Sequence, residues 1–148
     1  MEAISSIDLS KLAGLYNAQH NIKALIENLV AANFENEEGI WVEIGEQIYQ
    51  QNDVCLLSYS AIFQLANIYL SNQKIHLQLL TYAAIIEMQR CEIDILPIKW
   101  IEEYEATIQK LLTFSVQQQL DKNSCVAVSC LLAAVNKQYK IAQRLMNS

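Results

Sequence analysis

Only four residues of this 148-residue chain are glycine or proline: Gly14, Gly39, Gly45 and Pro97. Tight hairpin turns and phosphate-cradling loops both draw on glycine to reach left-handed backbone. Sandwiches, barrels and nucleotide-binding α/β folds therefore lack their usual turn material. With 53% hydrophobic residues the chain is also too apolar to stay disordered. A packed helical domain remains, and 148 residues suffice for one domain with its own core.

Apolar residues recur at helical spacing from end to end. Leu9, Leu12, Leu15 and Tyr16 form a first stripe, and Ile22, Leu25, Ile26 and Leu29 a second. An acidic connection, Asn33 to Gly39, precedes a third stripe of Ile40, Trp41, Ile44 and Ile48, which the amide-rich turn Gln50 to Asp53 ends. Tyr59, Ile62, Leu65, Ala66 and Tyr69 form a fourth, inside a charge-free run from Val54 to Gln73. Seven of those twenty residues are Ser, Asn or Gln, so the run reads as a buried helix and not a membrane span.

A fifth stripe runs Ile75, Leu79, Tyr82, Ala83 and Ile86. Pro97 suits the first turn of a sixth helix carrying Ile101, Tyr104, Ile108, Leu111 and Leu112. Asn123 and Ser124 are expected to cap a small-residue helix, Cys125 to Val135, and Asn136 to supply a left-handed stop before a last helix. The expected fold is all-α: seven to eight helices in stacked antiparallel hairpins, a HEAT-like α-solenoid forming a single domain over residues 1–148.

The formal charge is −6 and lies entirely in the first half. Residues 1–74 hold nine acids and three bases, whereas residues 75–148 hold seven of each. Nucleic acid is a poor partner for such a chain, because phosphate binding needs clustered Lys and Arg. From Ala24 through Gln73 there is no base at all, while Glu27, Glu35, Glu37, Glu38, Glu43, Glu46 and Asp53 fall inside. An acid surface that nothing local neutralises speeds encounter with a basic protein and orients it. Glu102, Glu103 and Glu105, with Glu92 and Asp94 before them, could extend that surface if successive hairpins present them on one side.

Catalytic chemistry finds little material. Cys55, Cys91, Cys125 and Cys130 form no CxxC pair, His20 and His76 lie far from them, and no Glu-x-x-His motif is present. The cysteines read as small buried residues, the histidines as surface or loop-proximal ones, and neither a metal nor a cofactor is expected. The amino end carries Glu2 and Asp8 in place of a basic, apolar leader, so a cytoplasmic protein is expected.

The runs LAGLYNAQHNIKALIENL, WVEIGEQIYQQNDVCLLSYSAIFQLANI, IEMQRCEIDILPIKWIEEYEATIQKLL and CLLAAVNKQYKIAQRL resemble a family of small bacterial all-helical, HEAT-like proteins. Members of that family are commonly encoded beside polymorphic or contact-dependent toxins and are taken to be their immunity proteins. The matching positions are Leu15, Tyr16 and Ala18; Ile48, Gln51 and Asp53; Ser58, Tyr59 and Ala61; Glu87, Arg90 and Tyr104. Where the family usually has glycine, at the central turn and in the last hairpin, this chain has Asn52 and Asn136. Ile62 and Phe63 stand where the family usually has proline.

The resemblance implies a non-enzymatic protein that occludes the active site of a cognate secreted toxin. A nuclease toxin is basic because it binds phosphates, which suits an acidic inhibitor. The expected partner-binding residues are Glu35, Glu37, Glu38, Glu43, Glu46, Tyr49, Asp53, Glu102, Glu103 and Glu105. Two other readings fit the same residues: a HEAT-like scaffold or adaptor without a toxin, and a small helical enzyme using its clustered glutamates.

Overall fold

A computed structural model describes Ile4 and residues 19–48, 56–90 and 95–147. Among these residues there are seven helices and no strand. They are α1 (Gln19–Ala31), α2 (Glu37–Ile48), α3 (Leu56–Ser71), α4 (Leu77–Arg90), α5 (Ile98–Val116), α6 (Lys122–Val135) and α7 (Tyr139–Met146). Each helix forms where an apolar stripe recurs on one face. In α5, Trp100, Tyr104, Ile108, Leu111 and Leu112 are buried together while Glu102 and Glu105 face out. The exception is α3, in which ten of sixteen residues are buried, as its charge-free sequence requires.

Packing follows two layers. The first, third and fifth helices pack in succession, as do the second, fourth and sixth, and α1·α2, α3·α4 and α5·α6 pack as pairs. That pattern is compatible with a stack of helical hairpins, with α7 laid on α6 and α4. The most extensive contact is α4 on α6. Ala83 and Ala84 are buried on one side and Ala127, Cys130 and Ala134 on the other, and such short side chains allow close approach. No helix among the described residues is long and apolar enough to cross a membrane.

The scarcity of glycine is resolved at the helix ends. Three helices stop in a left-handed residue that is not glycine: Asn33 after α1 (φ 50°), Gln73 after α3 (φ 54°) and Lys137 after α6 (φ 61°). In each, the next residue's N–H returns to a carbonyl five positions back: Phe34 to Leu29, Lys74 to Tyr69, Gln138 to Ala133. These paired bonds satisfy carbonyls the helix leaves open. Asn136 is therefore not the left-handed stop; its φ is −86°, and the reversal falls one residue later on Lys137.

Other boundaries shift for similar reasons. The α6 cap is Asp121, whose carboxylate accepts the Ser124 N–H at 2.7 Å, so Asn123 and Ser124 lie inside the helix. Ile75 stands ahead of α4, which begins at Leu77. Pro97 sits immediately before α5, its carbonyl accepting the Trp100 N–H. Gly39 belongs to α2 and not to the connection, because the helix is already hydrogen-bonded from Asn36 to Ile40. The first stripe, Leu9 to Tyr16, and the turn Gln50 to Asp53 with Tyr49 and Asn52 lie outside the described residues, as do Cys55, Cys91, Glu92 and Asp94.

Candidate functional site

The acids of α2 meet the aromatic residues of α3 and α4. Trp41 is fully buried, and its indole N–H donates to the Tyr69 hydroxyl at 2.8 Å, which donates in turn to a Glu37 carboxylate oxygen at 2.9 Å. Burial pushes the Tyr69 phenol pKa well above its ordinary value; the Trp41 N–H opposes that rise and Glu37 reinforces it. The Phe34 ring meets Tyr69 edge-on at 5.0 Å and carries the Lys74 ammonium over its face.

His76 stacks on Trp41 at 5.4 Å and Tyr82 at 6.5 Å, both within 9° of parallel, and the His76 ring also lies 6.2 Å from that of Tyr69. His76 is the residue before α4, and its Nδ1 accepts the Gln78 N–H at 3.1 Å, capping the helix. An accepting Nδ1 leaves the ring proton on Nε2, which lies 2.9 Å from a Glu38 oxygen and donates to it. His76 is thus buried and structural; of the expected surface or loop-proximal position, the surface fails and the place in a connection holds. A stripe read from Ile75 puts His76 inside the helix, which hides its capping position.

Glu37, Glu38 and His76 bring three ligand atoms within 4.8 Å of one another, a donor set of the kind divalent transition ions take. The hydrogen bonding does not fit a metal. An ion on Nε2 would displace the proton that Nδ1, held by the Gln78 N–H, cannot take up. Glu37 is likewise committed to Tyr69.

What α2 leaves open is its outer face. Glu38, Glu43 and Glu46 are exposed there, as is Glu35 just ahead of the helix, and Val42 among them is 64% exposed. Two shallow grooves flank the helix and share Glu46. One, of about 430 Å³, lies toward α4, with Trp41, Gly45 and Tyr82 along it and Glu38 at its rim. The other, of about 330 Å³, lies toward α1 beside Glu43. Gly45 makes the first groove possible: a Cβ there would run into the Tyr82 hydroxyl and come within 2.8 Å of its ring. Burial, followed by the Glu46 charge, raises the Tyr82 phenol pKa.

The second acid set does not join this face. Glu105 pairs with Arg90 at 3.1 Å, and Arg90 also grips both oxygens of buried Glu87 at 3.2 and 3.3 Å. The helix carrying Glu102, Glu103 and Glu105 packs on α3 and α6, and its Glu105 reaches the end of α4; Glu102 is exposed and Glu103 half-buried. Beside this cluster Tyr104 is fully buried, its hydroxyl without a protein hydrogen-bond partner and its ring edge-on to Tyr59 at 5.4 Å. Tyr49 and Asp53 are not described. Of the two described cysteines, Cys130 is buried with its thiol toward the Ala142 carbonyl, while Cys125 is exposed, contrary to the expectation that all are buried.

No family model, no curated protein and no solved structure matches this chain.

Proposed function

We propose that the chain is a non-enzymatic binding protein whose α2 face takes a basic protein, and that this partner is a cognate toxin domain held inactive by occlusion. The observation that carries the reading is the unpaired charge of α2: Glu43 and Glu46 have no base within ion-pair distance among the described residues. The groove beside them has the chemistry for a lysine or arginine side chain, with a tyrosine ring to stack on and carboxylates at 38 and 46 to pair with. The acid field would steer association, and burial of the cation would slow release. The immunity role rests on the family resemblance.

Co-expression with the product of the adjacent gene tests it. Rescue from toxicity and a stable complex are expected, and the variant Glu43→Lys/Glu46→Lys should lower the association rate at least tenfold at low salt. Unchanged growth on toxin expression, or a complex indifferent to these reversals, would sink it.

A further inference from the structure

The charge that α2 lacks is present on the same chain. From Lys122 to the last residue there are four bases and no acid. Three of them, Lys137, Lys140 and Arg144, lie in or just before α7, exposed and without an ion-pair partner among the described residues. Between Lys140 and Arg144 stands Ile141, 50% exposed. We propose that a second copy of this chain seats its α7 face, Lys140, Ile141 and Arg144, on the α2 face, Val42, Glu43 and Glu46.

The two triads match in kind and size. Each is one exposed branched aliphatic residue with two like charges inside a single helical turn, acidic on α2 and basic on α7. Docking them buries Val42 against Ile141 and gives each carboxylate a base, which neither helix finds on its own neighbours. α2 packs on α1, α3 and α4, whereas α7 packs on α6 and α4. Like-charged faces repel, so α2 on α2 and α7 on α7 are both disfavoured. The contact is consequently head-to-tail, and a heterologous contact adds copies until geometry closes the ring or the supply ends. It does not depend on the toxin reading, since the purified chain alone forms it; a basic partner would compete with α7 for the same surface.

Sedimentation of the full chain tests the contact. At low ionic strength the weight-average mass should climb with concentration, and 0.5 M NaCl should weaken the association at least tenfold, because exposed charge pairs are screened within a few Å there. Glu43→Lys/Glu46→Lys and Lys140→Glu/Arg144→Glu should each be monomeric, with helicity by circular dichroism unchanged. Mixed together they should associate again, since the reversed α2 of one meets the reversed α7 of the other. A wild-type chain monomeric at all concentrations in low salt, an association that survives both reversals, or a mixture that stays monomeric overturns the proposal.

Discussion

Glu43 and Glu46 on α2 face solvent with no base beside them among the described residues, whereas Glu87 and Glu105 converge on the single guanidinium of Arg90. In sequence all four are acids on amphipathic helices. Their surroundings separate them. The Arg90 set is a mostly buried three-residue network joining α4 to α5, and removing one member strands the others. The α2 set carries charge without structural duty, so it is free to meet another molecule. An acid's role is decided by what the fold places opposite it.

The sharpest way to break that contrast is Arg90→Ala. It leaves Glu87 buried without its guanidinium, so the denaturant midpoint should report a loss of about 3 kcal/mol. Glu43→Lys and Glu46→Lys should each stay within about 0.5 kcal/mol of the parent by the same measurement. Equal costs at the two places would mean that the α2 acids are structural after all.

The tyrosines of the two regions extend the comparison. Tyr69→Phe removes the hydroxyl between Trp41 and Glu37 and leaves a buried indole N–H without a partner. We expect a loss of about 2 kcal/mol by thermal or urea unfolding. Tyr104→Phe removes a buried hydroxyl that has no protein partner, and it should be neutral or stabilising by up to about 1 kcal/mol.

Two glycines of α2 divide in the same manner. Gly39→Ala meets nothing within 4 Å and should gain roughly 0.7 kcal/mol from helix propensity. Gly45→Ala receives the same propensity gain, yet it must drive Tyr82 off its stack on Trp41, for a net loss of about 1 kcal/mol. At the end of α6, Lys137→Gly should stabilise by about 1 kcal/mol, because only glycine holds a left-handed φ without cost. Asn136→Gly, in right-handed backbone, should not stabilise.

The smallest effect is the pH dependence of the α6 cap. Hydrogen bonds from Ser124 hold the Asp121 carboxyl below its ordinary pKa. A folded pKa lower than the unfolded one contributes stability that is complete above the unfolded value of 3.8 and disappears as pH falls through the folded value. Melting curves of wild type and Asp121→Ala should therefore differ at pH 5 and converge toward pH 2.

Much of the fold was legible because helical periodicity is local. The stripes at Ile22 to Leu29, Ile40 to Ile48 and Tyr59 to Tyr69 map onto α1, α2 and α3, and the polar but charge-free run onto the helix with most buried residues. Helix ends were less legible. A left-handed stop depends on bonds across the last turn, which Gln73 and Lys137 satisfy as well as glycine would, at some backbone cost. The candidate site was half legible: the unpaired acids of α2 could be read from the missing bases, but Glu105 was grouped with them because Arg90 stands fifteen residues away.

By itself the sequence determined the helical class, the buried third helix and the uneven charge, since composition and spacing along one chain set all three. Only the tertiary structure decided which charges are neutralised and which aromatic residues touch. It set Trp41 against Tyr69, His76 and Tyr82, tied Glu105 to Arg90, and left Glu43, Glu46, Lys140 and Arg144 on different helices without an ion-pair partner among the described residues. The reason is range. Helix formation is governed by neighbours within a turn, while Coulomb and ring contacts join residues that only packing brings within a few Å.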